Sequence, residues 1–303
     1  MIENQEIVSK LEGVFPLVPF AIRKDGSPDY EGLVSNVEFL VNSGVQGVMM
    51  FGCMGEFYAP TFEEYKQCVD LCVKAANKRI TTLVGATWQN TAGCIERAQY
   101  CEQAGVDAVM VAAPYVITPT AEVILRHFTL LDAALNNTSI LVYNYPPLTH
   151  GYNSTPEIWE KLMQIKHIKA LKESNPETWH RIRVLNKIAD KINVFSGGEA
   201  LMLSDFILGA KGVISLFGIG IPKTVLKLYN SLVNKDYETA AELLKVFAEL
   251  NNYLTLENEV AALKATAEIF GRPAGSPREP YPALDMETYK GMEKYLKKLE
   301  KMA

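Results

Sequence analysis

Short runs dense in apolar and β-branched residues alternate along the chain with longer segments whose apolar positions recur at helical spacing. This is the rhythm of repeated strand–helix units around a parallel sheet. Eight runs stand out: GVFPLVPF (13–20), QGVMMFG (46–52), TTLVGA (81–86), DAVMVAA (107–113), SILVYN (139–144), HIKALK (167–172), INVFSG (192–197) and GVISLF (212–217). A segment of helical period follows each, as FEEYKQCVDLCVKAAN follows the second and TAGCIERAQYCEQAG the third. An internal echo, SGVQGVM, AGVDAVM and GAKGVIS, places glycine where a helix ends in a left-handed cap just ahead of the next strand. Eight parallel strands with helices outside close into a barrel, so the pattern predicts an α/β fold, a (β/α)8 TIM barrel, over residues 1–231. Residues 232–303 read as a C-terminal helical extension: YETAAELLKVFAELNNYL, EVAALKATAEIF and METYKGMEKYLKKLEKM, with the Pro-rich connector GRPAGSPREPYPAL between the last two. A doubly wound open sheet is the competing architecture, but no G-x-G-x-x-G opens a helix after the first strand.

Composition changes this picture little. With 48% hydrophobic and 21% charged residues in 303, the chain has material for a large core. A net charge of −5 offers no basic face for a phosphate backbone, so nucleic acid is not an expected partner. The start MIENQEIVSK lacks the basic-then-apolar order of a signal peptide, and no long apolar stretch suggests a membrane span. A cytoplasmic location is therefore expected. Five cysteines form an odd set, which favours thiols over a disulfide framework. Cys68 and Cys72, four apart on a predicted helix with no flanking histidine, read as buried packing rather than as metal ligands.

In parallel barrels the chemistry sits where strands end, so the residues closing each run are the candidates. After the second strand, Gly52-Cys53-Met54-Gly55-Glu56 is a turn whose backbone N–H groups are suited to an anion, although most such turns are only turns. The fifth strand closes on Tyr143-Asn144-Tyr145-Pro146-Pro147 and brings a phenol to the rim, where it either relays protons or simply packs. The sixth closes on Lys172; alternation places Ile168, Ala170 and Lys172 on one face. Burial among apolar walls disfavours a charged amine and leaves a nucleophile. The competing route, an enolate on a metal, needs clustered histidines and carboxylates, whereas the four histidines are dispersed, so no metal and no cofactor is expected.

Taken in order, these motifs resemble the dihydrodipicolinate synthase/N-acetylneuraminate lyase superfamily of class I pyruvate-dependent aldolases. Gly52-Cys53-Met54-Gly55-Glu56 looks like its G-x-x-G-E loop, Tyr143-Asn144-Tyr145-Pro146 like its Y-N-x-P, Leu171-Lys172-Glu173 like its Schiff-base strand, and Gly212-Val213-Ile214-Ser215 like its eighth strand. The resemblance implies that Lys172 forms an imine with the keto carbon of pyruvate and that Tyr143 relays protons. It further implies that the N–H groups of Cys53 and Met54, between Gly52 and Gly55, hold the carboxylate, and that Gly197 and Ser215 line the pocket. A homotetramer and an aldehyde as second substrate are implied in the same way.

Departures from the family pattern narrow the substrate. Cys53 and Met54 stand where the synthase branch carries two threonines, Val116 follows Pro114-Tyr115 where that branch has a second tyrosine, and Leu148 falls where its carboxylate-binding arginine is expected. Of the acidic pair of the sialate lyase branch, Glu199 remains, followed by Ala200. The run YNYPPLTHG is most similar to 2-keto-3-deoxygluconate aldolases, which implies cleavage of a 2-keto-3-deoxy sugar acid, with Leu148, Thr149 and Glu199 in the substrate-binding region. The alternatives are a dehydratase or hydratase-aldolase on the same imine, N-acetylneuraminate lyase, dihydrodipicolinate synthase, and a non-catalytic pyruvate-binding barrel.

Overall fold

The computed structural model describes residues 11–303. Eight strands, β1 (Gly13–Val18), β2 (Gly47–Met50), β3 (Thr81–Gly85), β4 (Ala108–Ala112), β5 (Ser139–Asn144), β6 (Ile168–Glu173), β7 (Asn193–Ser196) and β8 (Gly212–Ser215), form a closed barrel in sequence order. β1 pairs with β2, and each of β3 to β8 with its neighbour, in parallel. A helix follows each strand: α1 (Tyr30–Asn42), α2 (Phe62–Ala76), α3 (Thr91–Ala104), α4 (Ala121–Ala133), α5 (Pro156–Leu162), α6 (Thr178–Ile188), α7 (Met202–Ile207) and α8 (Pro222–Val233). The C-terminal extension adds α9 (Tyr237–Asn251), α10 (Glu259–Ile269) and α11 (Met286–Glu300). The strands are buried at every position except Lys169, as parallel strands covered on both faces must be.

Strand ends differ from the apolar runs for reasons particular to each. The first run predicts a strand to Phe20, but β1 stops at Val18, just before Pro19. β2 stops at Met50 because Phe51 turns left-handed, with φ 58°. His167 is drawn out of β6 when its N–H donates to Asp132 Oδ1 at 2.7 Å, and the strand instead extends through Glu173. β8 ends at Ser215, whose hydroxyl accepts the Gly218 N–H at 2.8 Å and starts a tight turn. The three echoed glycines, Gly44, Gly105 and Gly209, all have positive φ, as the cap reading requires.

The contacts divide the chain into two compact units. One is Thr81–Val213 with Leu11–Gly13. Within it, the loop entering β5 hangs on one carboxylate: Glu102 accepts from the N–H groups of Asn136, Asn137 and Thr138 at 2.7 to 3.2 Å. The other unit is Val14–Ile80 with Ile214–Ala303. Here Cys68 and Cys72 are buried on α2, whose N-terminus carries a reciprocal capping box between Thr61 and Glu64. The extension is tied down by polar contacts as well as apolar ones: Asn36 Nδ2 donates to the Pro273 carbonyl at 2.6 Å, and Thr224 Oγ1 to the Leu299 carbonyl at 2.9 Å.

Candidate active site

Lys172 and Tyr143 come together because parallel pairing sets them opposite each other on β6 and β5. Both are buried, at 3% and 4% exposure, and Lys172 Nζ sits 4.3 Å from the Tyr143 ring centroid. The Tyr145 ring stacks on Tyr143 at 5.5 Å and 6°, which fixes the plane of the phenol. The amine thus lies against an aromatic face near the strand end where barrel chemistry occurs.

Several other candidate residues lie on the segments that follow β5 and β7. Gly197, just past β7, donates its N–H to the Glu173 carbonyl at 2.9 Å. A Cβ there would meet Ser174 Oγ at 1.9 Å and the Glu173 carbonyl at 2.7 Å, so glycine is required by close approach. Glu199, 3% exposed, opens the short helical turn after β7. Leu148 is half-buried in the loop after β5. Thr149 is buried in the same loop, and its hydroxyl donates to the Tyr152 carbonyl at 3.2 Å and lies 3.4 Å from that of Tyr145. His150, also on this loop, is exposed with its ring Nε2 2.8 Å from the Tyr115 carbonyl.

The glycine-rich turn after β2 is a compact reversal. Phe51 and Glu56 both take left-handed backbone, and the carbonyls of Gly52 and Cys53 accept the N–H groups of Phe57 and Glu56. A Cβ on Gly55 would press to 3.2 Å of the Phe51 and Gly52 backbone nitrogens. Gly52 is buried, and Cys53 and Met54 are half-buried. Ser215 is fully buried at the end of β8.

Sequence reading passed over the polar framework that holds these positions. Glu56 is fully buried, ion-paired to Lys264 on α10 at 2.7 Å, and accepts the Arg278 N–H at 2.7 Å. Burial pushes the Lys264 amine down, against the pull of Glu56. Arg278 in turn grips Glu64 bidentately at 2.7 and 2.8 Å. Behind Lys172, Glu173 is likewise fully buried, with Asn144, Asn175 and Arg181 around it. The one available signal was that a carboxylate in a strand covered on both faces must have partners. Nothing in the spacing named Arg181, Asp205 or Lys264.

Comparison with known proteins fits this geometry. The model of the dihydrodipicolinate synthetase family matches residues 10–299. The 4-hydroxy-tetrahydrodipicolinate synthase of Methanocaldococcus jannaschii is 32% identical over 291 residues, covering 95% of this chain and 98% of the relative. That of Methanococcus aeolicus is 30% identical over 290 residues, covering 95% and 98%. A solved dihydrodipicolinate synthase superposes with TM-score 0.86 at 31% identity over 95% of this chain and 99% of that one. The wild-type sialic acid aldolase of Ruminococcus gnavus superposes with TM-score 0.89 at 25% identity, covering 96% and 99%. With residues 10–299 matched, a closed eight-strand barrel and relatives that are synthases and aldolases, the chain belongs to the dihydrodipicolinate synthetase family and is a lyase-type enzyme of the class I pyruvate aldolase group.

Proposed function

We propose that this enzyme cleaves, or in reverse forms, the carbon–carbon bond next to the pyruvyl unit of a 2-keto-3-deoxy sugar acid. The observation that carries the reading is the buried Lys172 amine held 4.3 Å from the Tyr143 ring centroid at the strand ends. In this scheme the neutral amine adds to the keto carbon, loses water and becomes an imine. Once protonated, the imine accepts the electron pair of the breaking bond as an enamine, and an aldehyde leaves. Protonation of the enamine and addition of water then release pyruvate and regenerate the amine. Tyr143, donor and acceptor in one group, carries the protons. The N–H groups of Cys53 and Met54 hold the carboxylate, with Gly52 and Gly55 permitting its approach. Gly197 and Ser215 line the pocket, and Leu148, Thr149 and Glu199 meet the sugar chain.

A second reading, synthesis of 4-hydroxy-tetrahydrodipicolinate, is favoured by the names of the relatives at 30 to 32% identity. Against it stand Cys53, Met54, Val116 and Leu148, which lack the hydroxyls and the cation that the synthases' condensation employs. For assembly we propose a homotetramer, supported by the exposed side chains of Val116, Ile117, Trp179 and Ile207, which are 59 to 80% accessible in one chain. For location we propose the cytoplasm; no helix among the described residues is long and apolar enough to cross a membrane.

The test is a panel of 2-keto-3-deoxy sugar acids and sialate, followed by pyruvate release, together with the synthases' aldehyde assayed in the forward direction. Wild type is expected to release pyruvate from a sugar acid and to be trapped at Lys172 by borohydride, while Lys172→Ala does neither. Release that survives the substitution refutes the mechanism; turnover of the synthases' aldehyde alone transfers the assignment to the second reading.

A further inference from the structure

The partners Tyr143 and Lys172 stand at the far end of a strand pair whose register is not uniform. Ile140 pairs with Ile168, yet Leu141 pairs with Ala170, so the ladder slips by one residue near its start. The alignment at the far end is therefore not inherited from the first pair. Beyond the slip the ladder runs on through Val142–Leu171 to Tyr143–Lys172, and side chains on the opposite face bridge its end. Asn144 and Glu173 are the next pair after Tyr143 and Lys172, and period-two alternation turns them away from the amine and the phenol.

The Glu173 oxygens each lie 3.0 Å from Asn144 Nδ2, and Oε1 also accepts the Asn175 N–H at 2.7 Å. Arg181 closes the cluster from α6, with Nη1 donating to the Glu173 and Asn175 carbonyls at 3.1 and 2.9 Å. Its Nε and Nη2 donate to the Asp205 carboxylate on α7. The Asn175 side chain donates to Asn153 Oδ1 at 2.7 Å and so continues the tie into the loop after β5. We propose that Glu173 is a positioning residue for the Lys172–Tyr143 pair, its carboxylate bridging the ends of β5 and β6 so that the amine stays against the phenol ring. This rests on the Schiff-base role proposed for Lys172.

Both oxygens act as acceptors because the Asn144 amide lies 3.0 Å from each, while Oε1 also takes the Asn175 N–H. A glutamine offers one acceptor and sets its own NH2 against Asn144, and a protonated carboxyl has the same defect. Burial pushes the Glu173 carboxyl up to about 7, against the hydrogen bonds of Asn144 and Asn175 and the charge of Arg181, with Asp205 adding to the rise. The charged groups facing it are thus Arg181 from α6 and Asp205 from α7. An acid raised in the fold contributes stability below its unfolded value, and that contribution is lost as pH rises through about 7. The ionised bridge therefore disfavours folding at neutral pH relative to a neutral side chain. Loss of the bridge and loss of stability separate experimentally.

The decisive experiment measures the rate of borohydride trapping with pyruvate, located at Lys172 by mass spectrometry, in wild type and Glu173→Gln from pH 5.5 to 8.5, beside each protein's melting temperature. Taking the wild-type to variant rate ratio at each pH removes the pH dependence that the two proteins share. That ratio is expected to lie near one at pH 5.5 and to rise about tenfold through pH 7, with the variant melting no lower than wild type at pH 8.5. A ratio that stays flat across the range, at whatever level, overturns the inference. If Glu173→Gln does not fold, Asn144→Ala removes the bridge from the other strand, and a trapping rate within twofold of wild type at pH 8.5 overturns the inference equally. Absence of any adduct in wild type instead brings down the Schiff-base reading and this inference with it, so the two failures are distinguishable.

Discussion

Tyr143 offers two separable properties, an aromatic face and a hydroxyl. The face contacts the Lys172 amine and stacks on Tyr145, while the hydroxyl is the proton carrier in the proposed reaction. Tyr143→Phe keeps the first and deletes the second. Steady-state kinetics should show kcat lower by about a hundredfold to ten-thousandfold, with the pyruvate adduct at Lys172 still detectable by mass spectrometry. Equal activity would assign Tyr143 a packing role only. Gly197 is a second residue-scale test. An added methyl meets the Glu173 carbonyl at 2.7 Å, which cannot swing aside like a flexible side chain. Gly197→Ala should therefore shift the end of β6, lowering stability by about 1 to 3 kcal/mol in urea unfolding.

Elements in this protein are placed by terminal contacts as much as by their own propensities. β5, which carries Tyr143, is entered through a loop whose three consecutive N–H groups converge on Glu102 from α3. Burial alone would raise that carboxyl, but the N–H groups of Asn137 and Thr138 and the contacts to Asn136 outweigh it and hold it at about 2. A depressed acid contributes stability above its unfolded value of 4.5 and loses it as pH falls toward about 2. Glu102→Gln should thus cost about 1 to 2 kcal/mol at pH 7, allowing for solvent screening of a half-buried group. The gap between variant and wild type should close as unfolding is repeated from pH 4.5 downward. A gap independent of pH would mean that the charge is irrelevant to the loop.

At the scale of the whole molecule, a buried ion pair fixes the glycine-rich turn to the C-terminal extension. Glu56 and Lys264 are 0% and 2% exposed, and removing one partner strands the other's charge in the core. Lys264→Met should cost about 3 to 5 kcal/mol, read as a fall in melting temperature. The double variant Glu56→Gln/Lys264→Met leaves no buried charge and still accepts the Arg278 N–H. It is expected to regain most of that loss, whereas a double variant no more stable than Lys264→Met would contradict the argument.

Much of the architecture is legible in the chain because it depends on near neighbours. The eight apolar runs, the glycine caps at Gly44, Gly105 and Gly209, the positions of Tyr143 and Lys172 near the ends of β5 and β6, and that of Cys53 in the turn after β2 all follow from period and turn chemistry, which act over a few residues. Strand ends were less legible. They depend on particular partners, such as Asp132 for the His167 N–H, 35 residues away.

The sequence by itself determined that the chain is a parallel barrel with an extension and that one lysine, Lys172, stands near the end of its sixth strand, since both are written in local spacing. Only the tertiary structure decided what surrounds that lysine. Glu173 meets Asn144 across 29 residues, Arg181 meets Asp205 across 24, and Glu56 meets the Arg278 backbone across 222. Long side chains bridge at separations that no periodicity encodes, because which charges share a dry interior is settled when the elements pack, not when they form.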